Sequence, residues 1–169
     1  MIKAAPPAVE IAEVYCDGAT IGYNPSRVGG AWASCWVDAD GKRVRSRSGK
    51  VTPDSDNLDV ITCNYAELLA AVNALCDLPD GWAGTIYTDS EVTYWRIRQS
   101  PRQSALNGIT ALLAARLANV KARLGNYRTV VVKGHPTTDE LRRGVSRKGR
   151  PVSVHNVHCD KLCVALGGW

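Results

Sequence analysis

The sequence predicts an α/β (α+β) fold in which helices flank one mixed five-stranded sheet. Between residues 10 and 48, short runs of strand-forming residues are separated by tight turns, which indicates three antiparallel strands. After residue 62 the apolar pattern takes a period of about 3.6, as in an amphipathic helix. Two later apolar runs, residues 84–88 and 127–132, alternate with helical patterns, which is typical of buried parallel strands.

The antiparallel part of the sheet is predicted to use residues 10–17, 30–37 and 42–48. Asp17 and Gly18 are expected to end the first strand, because Asp-Gly is a common turn pair. An Asp-Ala-Asp-Gly turn separates the second strand from the third. Arginines alternate along one face of the third strand, which favours an edge strand protected by charge over a nucleic-acid contact.

The predicted helices follow residue 62, follow Ser90, cover about residues 103–124 and cover about residues 156–166. Asp89 and Ser90 form a good N-cap pair for the second helix. Gly125 with Asn126 is a stop signal for the third. Residues 133–154 have no apolar period and are expected to form a polar loop.

We expect a single domain over residues 1–169, with an N-terminal tail at residues 1–9 and a basic loop at residues 133–154. The net charge of +5 favours a polyanionic partner such as a nucleic acid. The six cysteines include no Cys-x-x-Cys pair, which indicates free buried thiols in a reducing compartment.

The expected location is cytoplasmic, because the first residues resemble neither a signal peptide nor a transit peptide. No membrane span is expected, since Arg116, Lys121 and Arg123 interrupt the longest apolar helical stretch. We expect a monomer that does not contact membranes.

Four carboxylates stand at positions where a charge needs a partner. Asp17 and Asp89 follow predicted strands, Glu67 lies in a helix otherwise lined by Ala and Leu, and Asp160 lies one turn into the last helix. If these acids converge, a divalent cation such as Mg²⁺ is the natural way to offset their repulsion. The alternative is four unrelated surface acids, since the chain has 16 acidic residues.

Five short motifs occur along the chain: Tyr15-Cys-Asp17-Gly-Ala, Asn64-Tyr-Ala-Glu67-Leu, Tyr87-Thr-Asp89-Ser90, Val132-Lys-Gly-His135 and Asn156-Val-His-Cys159-Asp160. In type and order they resemble the motifs of the type 1 ribonuclease H family, over roughly residues 10–166. The resemblance implies a ribonuclease H-like fold, in which the first three predicted strands are antiparallel and the strands at residues 84–88 and 127–132 are parallel.

The resemblance further implies a metal-dependent endoribonuclease that hydrolyses the RNA strand of RNA–DNA hybrids and leaves a 3′-hydroxyl and a 5′-phosphate. Asp17, Glu67, Asp89 and Asp160 are then the ligands of two Mg²⁺ ions, for which Mn²⁺ is a substitute. His135 matches the mobile loop histidine of the family, which assists proton transfer or product release. Imidazole suits this role because it exchanges protons near neutral pH.

Further residues are expected to contact the substrate. Asn24, Thr62 and Asn64 match family positions that contact the nucleic-acid backbone, although turn and helix-cap roles are the alternative. The family's basic, Trp-lined protrusion is not evident here. We expect the basic residues Arg142, Arg143, Arg147 and Lys148 to supply that affinity instead.

Two other functions remain open from the sequence. One is a DNA nuclease of the same fold, such as a junction resolvase, an integrase-like enzyme or an exonuclease. The other is a non-catalytic nucleic-acid-binding module. The Val-Lys-Gly-His motif and Asn64 favour the ribonuclease, and the intact acid set argues against a non-catalytic protein.

Overall fold

The computed structural model describes residues 9–99 and 109–168, which form one sheet and the helices around it. The strands are β1 (Ile11–Thr20), β2 (Gly30–Asp38), β3 (Arg43–Val51), β4 (Thr85–Thr88) and β5 (Arg128–Val131). The α-helices are α1 (Cys63–Cys76), α2 (Glu91–Ile97), α3 (Ala111–Arg123), α4 (Thr138–Arg143) and α5 (Val154–Ala165).

The sheet has the strand order β3-β2-β1-β4-β5. β1, β2 and β3 are antiparallel neighbours, whereas β4 runs parallel to both β1 and β5. The predicted mixed sheet is therefore confirmed. Its central strand, β1, belongs to both the antiparallel and the parallel part, so the two sequence patterns meet on this strand.

Helices α1, α2 and α3 cover one face of the sheet. Val14 and Cys16 of β1 are buried there with Leu68 and Leu75 of α1 and Leu117 of α3. Alternate residues of β1 thus point into this core, as expected for a strand with a period of about two. The sequence predicts one apolar stripe on α1, but the helix is buried over most of its surface, from Tyr65 to Val72 and at Ala74 and Leu75, whereas Cys76 at its end is exposed.

Helix α5 covers the other face of the sheet. Its buried Cys159 and Cys163 meet Ala31, Ala33 and Cys35 of β2. Because these side chains are small, α5 can lie close to the sheet.

β1 is longer than predicted, because Gly18 does not end it. The strand continues to Thr20, which lies opposite Gly30 of β2. A Cβ atom on residue 18 would lie 2.3 Å from the backbone nitrogen of Glu67. The close approach of α1, and not a turn, therefore requires glycine here. The prediction that Asp17 stands at the end of the strand is wrong.

Two helix predictions also change. Among the described residues α3 begins at Ala111, because Thr110 is its N-cap and accepts a hydrogen bond from the backbone nitrogen of Leu113. The earlier part of the predicted helix, residues 103–108, lies outside the described residues. The polar segment 133–154 contains a helix, α4, that the sequence pattern did not predict.

The arginines of β3 lie at the edge of the sheet, as the charge pattern predicts. The Arg45 guanidinium stands 4.0 Å from the centre of the Trp36 ring. Arg47 donates to a carboxylate oxygen of Asp77 at 2.5 Å. Arg45 therefore covers the Trp36 ring with its guanidinium, and Arg47 links the edge strand to Asp77.

The cysteines are all free, but they are not all buried. Cys16, Cys35, Cys159 and Cys163 are buried, Cys63 is partly exposed and Cys76 is exposed. The prediction of six buried thiols is therefore wrong for the two cysteines at the ends of α1. In the part of the chain that the structure describes, no helix is long and apolar enough to cross a bilayer.

Candidate active site

The register between β1 and β4 brings two acids together. Tyr15 of β1 lies opposite Tyr87 of β4 in a parallel pair, and the two rings stack with centroids 4.5 Å apart. Asp17 and Asp89 each follow these tyrosines by two residues, so they lie side by side. Asp89 directly follows β4, and Asp17 lies just past the last residue of β1 that pairs with β4. Both acids are therefore on the carboxyl-terminal side of the parallel pairing, where open α/β sheets place their sites.

Glu67 reaches the same place because α1 packs directly on the backbone of β1. The absence of a side chain at Gly18 lets the first turns of α1 approach the strand. Glu67 lies in this part of α1, and it is 7% exposed. Its buried carboxyl group faces Asp17 of β1 and Asp89, which follows β4.

Asp17, Glu67 and Asp89 form a compact group, which we call the acid cluster. Each of them places one carboxylate oxygen within 4.8 Å of the corresponding oxygens of the other two. Asp17 Oδ1 accepts a hydrogen bond of 2.8 Å from the backbone nitrogen of Gly18. Glu67 Oε2 and Asp89 Oδ1 are buried and have no hydrogen-bond partner among the described residues.

Burial and mutual repulsion disfavour the charged forms of these acids. Burial, and after it the charges of Asp89 and Asp160, raises the pKa of Asp17 to about 8. Burial and the charges of Asp17 and Asp89 hold the pKa of Glu67 well above its usual range. Burial also raises the pKa of Asp89.

The acid cluster fits a divalent cation. It offers several hard oxygen donors in one small volume, and two of these oxygens are buried without a partner. Buried unpaired oxygens cost free energy that a cation would offset. Mg²⁺ and Mn²⁺ prefer such carboxylate sets, whereas Zn²⁺ is more often bound by histidine and cysteine.

Asp160 lies beside the acid cluster and not within it. It is on α5, its side chain is 29% exposed, and its charge contributes to the raised pKa of Asp17. Its Oδ1 is 3.7 Å from Nδ1 of His135, whose side chain is 80% exposed. The predicted fourth acid and the predicted histidine thus form a pair on the exposed side of the site.

The residues predicted to contact the substrate backbone meet at the start of α1. Thr62 is the N-cap and accepts a hydrogen bond of 3.1 Å from the backbone nitrogen of Tyr65. Asn24 Oδ1 accepts one of 3.1 Å from the backbone nitrogen of Cys63, which fixes the β1–β2 loop to the helix. Asn64 follows in the first turn. All three predicted residues are exposed.

The predicted basic residues fall into two groups. Arg142 and Arg143 lie on α4, and both form ion pairs with Asp139 on the same helix. Arg147 and Lys148 follow α4 and line a pocket of about 500 Å³. The sequence predicts one role for these four residues, whereas in the structure two of them pair with Asp139 and the other two line the pocket.

Two residues of the site carry no predicted role. Asn156 is 1% exposed, and its Nδ2 donates a hydrogen bond of 3.4 Å to Asp89 Oδ2. A Cβ atom on Gly134 would lie 2.4 Å from the same oxygen. The helical spacing offered a signal for Asn156, because it precedes Asp160 by four residues and shares its face. Gly134 is part of the Val132-Lys-Gly-His135 motif, but the motif does not indicate its contact with Asp89.

Comparisons with known proteins give similarity in structure alone. No protein-family model matches the chain, and no curated protein matches its sequence. LC11-RNase H1, described in complex with an RNA/DNA hybrid, is 20% identical, covers 90% of this chain and 94% of its own, and has a TM-score of 0.58.

Two further structures agree with it. The N-terminal RNase H domain of a Mycobacterium tuberculosis protein is 13% identical, covers 92% of this chain and 94% of its own, and has a TM-score of 0.54. RNase H1 from Halobacterium salinarum is 20% identical, covers 71% of this chain and 83% of its own, and has a TM-score of 0.53. The described chain therefore has the ribonuclease H-like fold, as the five sequence motifs predict.

Proposed function

We propose that this protein is a metal-dependent endoribonuclease that hydrolyses the RNA strand of RNA–DNA hybrids. The observation that carries the proposal is the acid cluster, which lies just past the carboxyl-terminal end of the β1–β4 pairing. The sequence motifs and the similarity to ribonuclease H structures support the choice of a hybrid as substrate.

The acid cluster would hold the metal, and Asp160 would add a ligand from the exposed side. Two Mg²⁺ or Mn²⁺ ions in such a site stabilise negative charge on the attacking and leaving oxygens of a phosphodiester. Gly18 and Asn156 hold the side chains of Asp17 and Asp89 by hydrogen bonds, so these ligands need little rearrangement to bind a cation.

The exposed pair of Asp160 and His135 is suited to proton transfer. The imidazole is exposed to solvent, and its Nδ1 lies 3.7 Å from Oδ1 of Asp160. In this position His135 can take up or release a proton at the strand ends produced by hydrolysis. The products of the proposed reaction are a 3′-hydroxyl and a 5′-phosphate.

Recognition of the hybrid is assigned to exposed polar groups around the start of α1. Thr62 and Asn64 are exposed there, and Asn24 is fixed beside them by its bond to the helix. Such groups can donate to a phosphate or bond a ribose 2′-hydroxyl, the group that distinguishes RNA from DNA. We place the enzyme in the cytoplasm as a monomer, since its free thiols suit a reducing compartment.

Cleavage assays test the proposal directly. The purified protein is incubated with an RNA–DNA hybrid, double-stranded DNA or double-stranded RNA, each with Mg²⁺ or with EDTA. We expect cleavage of the RNA strand of the hybrid, dependent on the metal. Cleavage of DNA instead would support the DNA nuclease of the same fold, and no cleavage of any substrate would support a binding module.

The Asp17→Asn variant tests the site. It removes one ligand charge while keeping the shape of the side chain, so we expect cleavage to be abolished and the fold retained. Asp59→Asn is the matched control, because Asp59 is an exposed acid outside the site. Full activity of Asp17→Asn would contradict the assignment of the acid cluster as the metal site.

A further inference from the structure

A pocket of about 500 Å³ lies beside the acid cluster and is lined mainly by basic side chains. Its cations are Lys133, Arg147, Lys148 and Arg150, and we call it the basic pocket. Two acids, Glu91 and Glu140, and the hydroxyl of Ser146 complete the lining.

The loop that forms the basic pocket is held in place by its own hydrogen bonds. Glu140 is 7% exposed, and its carboxylate accepts hydrogen bonds from the backbone nitrogens of Thr137 and Arg147. The backbone nitrogen of Ser146 donates to the carbonyl oxygen of Arg150 at 2.9 Å. The basic side chains therefore start from a defined backbone, which lowers the entropy cost of binding a ligand.

The two acids of the pocket are already engaged. Glu91 forms an ion pair with Arg150. The hydrogen bonds from Thr137 and Arg147 lower the pKa of Glu140, so it stays ionised and faces those backbone donors. Within residues 9–99 and 109–168, neither Arg147 nor Lys148 has an ion-pair partner. The pocket thus keeps an excess of positive charge.

The position of the basic pocket relative to the acid cluster follows from the chain. Lys133 lines the pocket, and the next residue, Gly134, packs against the carboxylate of Asp89. Glu91, on the other wall, follows Asp89 by two residues. The basic pocket therefore lies close to the acid cluster, on the side of Asp89.

We propose that the basic pocket binds a backbone phosphate of the strand that is cleaved, close to the scissile phosphate. The inference rests on the proposed nuclease function and adds a specific phosphate subsite to it. Guanidinium and ammonium groups are the usual ligands of such an anion. A 5′-terminal phosphate has the same chemistry as an internal one, and the experiment separates the two.

The experiment combines charge removal on the protein with charge removal on the substrate. Hybrid binding is measured by fluorescence anisotropy at fixed ionic strength, with Asp17→Asn present in every protein to prevent cleavage. Arg147→Gln with Lys148→Gln neutralises the pocket. A set of hybrids carries one neutral methylphosphonate each, at successive positions of the RNA strand or of the DNA strand.

We expect the pocket variant to lose affinity about tenfold or more, as for the loss of charge-assisted hydrogen bonds to phosphate. One methylphosphonate near the cleavage site should cause a similar loss. When the pocket variant binds that methylphosphonate hybrid, the loss of affinity should be no larger than either loss alone, because both changes remove the same contact. We call this non-additivity coupling. Lys42→Gln with Arg43→Gln is the matched control, because it removes one lysine and one arginine at exposed positions outside the basic pocket. We expect it to lose affinity less than about threefold, with no dependence on the position of the methylphosphonate.

The remaining outcomes decide between explanations. Coupling at the 5′-terminal phosphate of the RNA identifies that group as the ligand, and coupling at an inner position identifies the backbone. Coupling only on the DNA strand, equal losses for the two double variants, or no coupling at any position would overturn the inference. Circular dichroism verifies that the variants are folded. Failure of the proposed function is recognised separately, because the wild-type protein would then not cleave the hybrid.

Discussion

Asp17 makes the metal-free protein sensitive to pH, and replacing it by asparagine should increase stability. Burial and neighbouring charges raise its pKa from 3.8 to about 8. An acid with a raised pKa in the folded state stabilises the fold while it is protonated. That contribution is complete below the unfolded pKa and is lost as the pH rises through the folded pKa. The loss therefore falls in the window between 3.8 and about 8.

The size of the effect follows from the same shift. Each pKa unit corresponds to about 1.4 kcal/mol, so ionisation of Asp17 should lower the free energy of unfolding by roughly 4 kcal/mol between about pH 5 and about pH 8. Asp17→Asn removes this ionisation and keeps the side chain's shape. Without metal, the stability of the variant relative to the wild type should therefore rise by roughly 4 kcal/mol over this pH range.

Urea unfolding in EDTA at about pH 5 and about pH 8 measures this difference, with Asp59→Asn as the control for removing an acid. The control should show a pH-independent difference below about 0.5 kcal/mol. Added Mg²⁺ should then stabilise the wild type more than Asp17→Asn, because the variant has lost a ligand charge. A free-energy gap that stays constant or narrows as the pH rises would refute the description of Asp17 as a buried acid among other acids.

Three further changes probe the surroundings of the site. Gly134→Ala places a Cβ atom 2.4 Å from Asp89 Oδ2, so we expect kcat for the hybrid to fall at least about tenfold while the melting temperature changes little. Asn156→Ala removes the donor to Asp89 and should cost about 1–3 kcal/mol in thermal unfolding, together with weaker Mg²⁺ binding by calorimetry. Arg45→Ala removes the cover over Trp36 and should lower the unfolding free energy by about 0.5–1.5 kcal/mol without changing KM, whereas a raised KM would indicate a nucleic-acid contact.

The convergence of the acids could be predicted in part from local sequence. Asp17 and Asp89 each follow a tyrosine by two residues on strands that turn out to be parallel neighbours in register. Both strands carry the pattern Tyr-x-Asp, and functional sites of open α/β sheets lie at the carboxyl ends of the strands. These two facts suffice to place the two acids together. The placement of Glu67 needs a long-range fact, namely that α1 packs directly on the backbone of Gly18. From its local sequence alone, Gly18 is predicted to be a turn residue.

In the basic loop, the local sequence indicates where α4 begins but not which contacts its basic residues make. The start of α4 has a local signal, since Thr137 and Glu140 have the spacing of a capping box. The division of the basic residues has none. Arg142 and Arg147 carry the same charge in the same segment, but only the former lies within reach of Asp139, and only the latter lines the basic pocket.

The segment after β5 joins the parts of the candidate site through three consecutive residues. Lys133 lines the basic pocket, Gly134 packs against the carboxylate of Asp89, and His135 pairs with Asp160 on the exposed side. Because β5 is a neighbour of β4, the start of this segment is fixed relative to Asp89 by the sheet itself. A displacement of the segment would move the phosphate subsite, the histidine and the packing of Asp89 together. This short connection therefore holds the basic pocket, His135 and Asp89 in one arrangement.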